Sequence, residues 1–276
     1  MRAWVNKCLS VGVAVVMWLG VLPAPAEAEV LFGITFPAPT ETLIRINPGT
    51  GAATPAGPLD APTQFPFGVA ARKGELYTFD QQADLIRQLD PATGRTLRSI
   101  DVRMGDLTGE GDLTFRRDGI GFLATSPGVL FRFDITNGTS TLITQSLPIN
   151  IDGLAFDADN VLFAFSETTA TLFTINAGTG VMTTIGPLGV PTGGLGGLSF
   201  DATGTLFAAI ADNLYTINTA TGGATLVGPI RGASEVSGIA FLAVPEPGSL
   251  VLLGVGLPAV VWLGRKGRDR RNQRSA

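Results

Sequence analysis

Histidine is absent from this 276-residue chain, and cysteine occurs once, as Cys8. The first absence removes the commonest general base, the Ser–His pair and every imidazole metal ligand. The second excludes an internal disulfide. Because Cys8 falls in a segment expected to be removed, the mature protein would have no thiol nucleophile and no thiolate site. Charge is also sparse, at 15% of residues, and mean hydropathy is +0.32. Helix-period patterns are lacking throughout residues 29–242. Backbone punctuation is abundant instead: 36 Gly and 18 Pro make up near a fifth of the chain. Many tight turns between short elements are expected, and neither a cofactor nor a metal is.

The two ends read as addressing segments. In residues 1–28, Arg2 and Lys7 precede an apolar stretch, Leu9–Leu22, that Pro23 and Pro25 break. Ala26-Glu27-Ala28 then supplies small residues where a signal peptidase needs them. Cleavage is expected after Ala28, with Ala26 as the alternative; an uncleaved N-terminal anchor is the competing reading. At the other end, Pro247–Gly264 holds 18 residues without a charge. As a helix this would reach about 27 Å, close to the ~30 Å of a bilayer's hydrocarbon layer, and the membrane helix is placed at 248–264. A basic tail, 265–276, follows with Arg265, Lys266, Arg268, Arg270, Arg271 and Arg274 against Asp269 alone, a bias that holds a tail in the cytoplasm.

Val244-Pro245-Glu246-Pro247-Gly248-Ser249, the apolar span and the arginine cluster together resemble the PEP-CTERM sorting signal of Gram-negative bacteria, a segment also labelled ice-binding protein C-terminal domain. The resemblance covers residues 243–276. It implies handling by an exosortase that recognises Pro245, Glu246 and Pro247 as substrate. It also implies an inner-membrane intermediate and a final place on the cell surface or in an exopolysaccharide matrix. It says nothing about the body between the two ends.

That body, 29–242, carries 11 cations against 20 anions, a balance that argues against nucleic acid or an anionic membrane as its partner. One motif recurs five times: Asn47-Pro-Gly-Thr-Gly51, Asp90-Pro-Ala-Thr-Gly94, Asp134-Ile-Thr-Asn-Gly138, Asn176-Ala-Gly-Thr-Gly180 and Asn218-Thr-Ala-Thr-Gly222. The spacings are 43, 44, 42 and 42. Asp or Asn caps such a turn and the closing Gly takes a positive φ. An alternating apolar strand precedes each copy, as in Leu172-Phe-Thr-Ile175. A second series starts at Gly68, Asp112, Gly153, Gly197 and Gly238, mostly as small-apolar-small-Phe. A third and a weaker fourth strand complete each unit.

Four short antiparallel strands in about 43 residues are the signature of a propeller blade. The fold expected is all-β, a five-bladed β-propeller; six blades is the alternative. The first unit lacks its innermost strand and Gly238–Phe241 is left over, so those two ends of the body should pair and close the ring.

At the channel mouth the repeat alignment places Phe67, Gly111/Asp112, Ile151/Asp152, Gly196 and Ser237, with Asp106, Glu110 and Glu235 on adjoining loops. In outline this resembles the five-bladed propellers of certain glycoside hydrolases, which implies Asp112, Asp152 and a loop glutamate as acid and base. Calcium at Asp106/Glu110/Asp112 or at Asp152/Asp157/Asp159 is the competing reading to turn chemistry, which is preferred. Arg45, Arg87 and Arg132 should face a neighbouring blade or solvent, and Gly193–Gly197 should link blades. The function expected is a non-enzymatic binding or scaffold module for extracellular polysaccharide or another surface protein. An exported carbohydrate-active enzyme is the alternative.

Overall fold

A computed structural model describes residues 28–36, 41–60, 65–105, 109–232 and 235–244. Pro245, Glu246 and Pro247, the apolar span, the basic tail and residues 1–27 lie outside the described residues. Ala28, the expected cleavage position, lies inside as the exposed first residue of a strand. Among the described residues no helix is long and apolar enough to cross a membrane.

Among the described residues, twenty strands form five four-stranded antiparallel sheets. Blade one contains β1 (Ala28–Phe36), β2 (Thr42–Ile46) and β3 (Ala53–Pro58). Blade two is β4 (Pro66–Arg72), β5 (Glu75–Asp80), β6 (Leu85–Leu89) and β7 (Thr96–Ile100). Blade three is β8 (Gly111–Phe115), β9 (Gly121–Thr125), β10 (Val129–Asp134) and β11 (Thr139–Thr144). Blade four is β12 (Gly153–Phe156), β13 (Leu162–Ser166), β14 (Thr171–Ile175) and β15 (Met182–Pro187). Blade five is β16 (Gly196–Phe200), β17 (Leu206–Ile210), β18 (Asn213–Ile217) and β19 (Ala224–Pro229). The last strand, β20 (Glu235–Val244), returns to blade one, whose order is β20-β1-β2-β3.

The closure foreseen from the split repeat is therefore present. Leu31 faces Phe241 and Gly33 faces Ile239 across the β1–β20 ladder, which runs out to Ala28 and Val244. These are the two longest strands of the ring, 9 and 10 residues.

The turns form for the reason the sequence suggests. Oδ1 of Asn47, Asp90, Asp134, Asn176 and Asn218 accepts the backbone N–H two residues on at 2.8–2.9 Å. The closing glycines hold φ between 66° and 84°, a region that side chains with a Cβ avoid.

The core is five wedges rather than one mass. Each hydrophobic cluster fills the seam between adjacent blades: Phe79, Leu113 and Phe133 between two and three, Leu154 and Ala164 between three and four, and so on round the ring. An edge-to-face aromatic pair recurs in four seams, between the second strand of one blade and the inner strand of the next. These are Tyr77–Phe115, Phe122–Phe156, Phe163–Phe200 and Phe207–Phe241, with centroids 5.0–5.4 Å apart. Such pairs contribute roughly 0.5–1.5 kcal/mol beyond the area they bury. In the seam between blades one and two the inner-strand partner is Ala71, and Phe32 is covered by the Arg45 guanidinium, 5.6 Å from its centroid.

Candidate functional site

The site is set by how closely five inner strands crowd one axis. At one height stand Gly68, Asp112, Gly153, Gly197 and Gly238. A Cβ at Gly238 would fall 2.4 Å from Gly68 Cα, and one at Gly197 would fall 2.5 Å from Gly238 Cα. Backbone meets backbone at Gly197 and Gly238, whereas a Cβ at Gly153 would strike the Phe165 ring at 2.4 Å and one at Gly68 would strike Asp112 Oδ1 at 2.3 Å.

Asp112 is the exception, and it is wholly buried. Its Oδ1 accepts the Leu113 N–H at 2.8 Å, and its Oδ2 accepts Leu154 N–H at 2.8 Å and Leu198 N–H at 3.5 Å. Backbone donors from three consecutive blades thus share one carboxylate. Burial pushes its pKa well above the ordinary range, the three N–H bonds pull it back, and the charge of Asp152 adds to the rise. The sequence reading of Asp112 as acid or base is corrected by this arrangement. It plugs the axis, and no reactant reaches it. Below the plug lies a cavity of about 130 Å³, lined along the axis by Ala70, Thr114, Ala155, Ser199 and Ala240.

Above the plug, at the face where the inner strands begin, four carboxylates from blades one, three and four interact: Glu110, Asp152, Glu167 and Glu235. Asp152 is 8% exposed. Its Oδ2 accepts the Glu167 N–H at 2.8 Å. Burial pushes its pKa up to about 6, with Glu110 adding to the rise. Burial also pushes Glu167 up to about 7, and Asp152, Glu110 and Glu235 contribute. Glu235 lies over Gly194, whose missing Cβ would stand 2.8 Å from its Oε1. The two ion pairs among the described residues, Arg87–Asp80 and Arg116–Asp118, involve none of the four.

On the same face an aromatic group stands beside Glu235. Phe36 faces Glu235 across the ladder, and its ring lies 5.9 Å from Phe67 and 6.3 Å from Phe65. Phe65 is half-exposed.

Of the residues the sequence placed at the mouth, Asp152, Glu110 and Glu235 belong to the carboxylate group. Phe67 is buried, and Ser237 donates from its buried Oγ to Pro66 O at 3.1 Å. Asp106 lies outside the described residues. Asp157 is at the other end of β12, where its Oδ1 accepts the Asp159 and Val161 N–H groups in a hairpin turn. Sequence reasoning missed Glu167 and the Phe36–Phe65 pair. Glu167 opens the turn between β13 and β14, which reaches the same face as the inner-strand starts, and that placement was the available signal.

Asp152 and Glu167 make stability depend on pH in an unusual sense. Both hold protons more tightly in the folded chain than in the unfolded one. From about pH 4 to pH 7 the native state keeps protons that the unfolded state has lost, so stability falls as pH rises. Asp90 and Asp118, lowered by bonds from the Ala92 N–H and the Arg116 guanidinium, act oppositely, but below about pH 4. Thermal melts should show a loss of about 2 kcal/mol between pH 4.5 and pH 8, after allowance for solvent screening. Asp152→Asn should reduce that dependence to the share left with Glu167 and the buried Asp112. A melting temperature that climbs across the window would refute the assignment.

Residues 25–181 match the profile of a family described as "Repeat of unknown function (DUF6923)". No curated protein matches the chain. Among solved structures, a chain of a nidogen/laminin complex superposes with a TM-score of 0.53 at 12% identity, covering 79% of this chain and 99% of that one. A gluconolactonase-like protein gives 0.50 at 16% identity, covering 77% and 82%. A gluconolactonase from Xanthomonas campestris gives 0.49 at 16%, covering 75% and 78%. At these identities the likeness is one of fold.

Proposed function

This chain belongs to the DUF6923 family, and for this member we propose an exported propeller that binds extracellular polysaccharide through its upper mouth. Signal peptidase would remove residues 1–28. An exosortase would take the Pro245–Glu246–Pro247 segment as substrate, leaving the propeller on the cell surface or in an exopolysaccharide matrix. One observation carries the binding reading. The rim that holds half-exposed Phe65 and the four carboxylates lies on the face opposite Ala28 and Val244, which are paired at the far end of the β1–β20 ladder. An anchor attached beyond Val244 would hold the propeller by its lower face and leave the rim looking outward. Aromatic faces and carboxylates are the groups that hold sugar rings and hydroxyls.

A second reading is a glycosidase-like activity in which Glu167 serves as general acid. It is favoured by a pKa near neutrality, where a carboxylic acid can donate a proton at working pH. A glycan array followed by reducing-end analysis of the bound glycans separates the two. Binding without new reducing ends is the expected result. New reducing ends that disappear in Glu167→Gln would establish the enzyme instead, and an array without any bound glycan would end both readings.

A further inference from the structure

Resting on the polysaccharide reading, we propose that the ligand is an oligosaccharide with free amino groups, one sugar ring lying against Phe65 and an ammonium group lying over Asp152 and Glu167. The mouth selects for a cation. Glu167 has Asp152, Glu110 and Glu235 as charged neighbours, Asp112 lies below with Asp152 acting on it, and neither ion pair among the described residues neutralises any of them. The carboxylates are spread rather than focused, because no three acidic side chains among the described residues gather closely enough to hold a metal ion. A diffuse negative rim suits a ligand whose positive charge rides on an extended polar body.

An independent observation is Ser166. It is fully buried, and its Oγ has no hydrogen-bond partner. On β13 its neighbours at alternate positions, Leu162 and Ala164, pack into the seam between blades three and four together with Leu154. Ser166 lies two residues beyond Ala164 and directly before Glu167, whose N–H is held by Asp152 Oδ2, so the hydroxyl sits at the upper end of that seam, next in the chain to the carboxylate group. Glu167 Oε2 is likewise buried and without a partner. A donor and an acceptor left unused in the interior are costly. Here they lie where an ammonium would hold Asp152 and Glu167 ionised. In the free protein no carboxylate lies within hydrogen-bond distance of the Ser166 hydroxyl; ligand binding brings one within reach. Phe65, whose ring lies 6.3 Å from that of Phe36 opposite Glu235, supplies the apolar surface that a sugar ring covers and a bare polyamine does not need.

Calorimetric titration of the full chain with a glucosamine oligosaccharide, its N-acetylated counterpart and oligolysine tests this. The amino form should bind with a bell-shaped pH dependence. Its acid limb is set by Glu167, near 7, and its alkaline limb by the sugar amine, which as an α-amino-like group titrates near ~8. Glu167→Gln should weaken binding about tenfold. Phe65→Ala should weaken it by a comparable factor. Ser166→Ala should weaken it a few-fold without lowering the melting temperature, since no bond is lost in the free protein. Equal binding of the N-acetylated form, or affinity indifferent to pH, would overturn the ammonium assignment and leave the polysaccharide reading standing. Oligolysine binding as tightly as the amino sugar, with Phe65→Ala silent, would reduce the mouth to a charge trap. Binding of none of the three would overturn the inference, and the array decides the broader reading separately.

Discussion

A chain ending at residue 234 is expected not to fold. The cut removes β20 and with it Val236, Ile239, Phe241 and Leu242, all buried. At about 2 kcal/mol for each buried side chain, the loss is about 8 kcal/mol, as large as the whole ~5–15 kcal/mol that holds a typical domain together. The damage is not local. β20 is the inner strand of blade one and packs against the inner strands of blades two and five, so removing it opens two seams and bares the edge of β1. Near-ultraviolet circular dichroism of the truncated chain should be featureless. Adding a peptide of residues 235–244 should restore part of the signal. A cooperative melt within a few degrees of the intact protein would mean that the ring does not depend on its closure.

The second large effect is expected at Gly238→Ala. One methyl group there would meet Gly68 Cα and Val69 N at 2.4 Å, with backbone atoms on the far side that cannot rotate away. Overpacking of this kind costs about 3 kcal/mol, and it should appear as a melting temperature lowered by about six to twelve degrees. Gly74→Ala is the control. It has open space around its Cβ but a φ of +79°, so the penalty is conformational, about 1 kcal/mol. If the two variants melt together, the crowding of the axis is not what fixes glycine at this height.

The ring was legible because its information is periodic. Five turns at nearly constant spacing, and a strand missing at one end and left over at the other, specify both the blade count and the closure. What spacing does not carry is direction. Asp112 occupies a glycine position in the series, and from sequence a carboxylate at a channel mouth reads as chemistry. Only the crowding of the axis reveals that the inner strands' own N–H groups take up this carboxylate. Arg45, Arg87 and Arg132 have equivalent places in their repeats and three different fates. Arg45 reaches the next blade and donates to Pro91 O at 2.8 Å. Arg87 turns back on its own sheet, buried against Asp80 and Ser99. Arg132 is exposed. Glu167 escaped notice because it belongs to a turn rather than to an inner strand, and its character comes from neighbours 57 and 68 residues away in the chain, Glu110 and Glu235.

The β1–β20 ladder also has a mechanical meaning. A load applied at Val244 and resisted at the opposite face acts along the length of β20. The rungs between Ala28–Val244 and Phe36–Glu235 then bear it in shear, all together, rather than peeling open one after another. Were the propeller tethered beyond Val244, as proposed, tension would enter it where the ring resists it best.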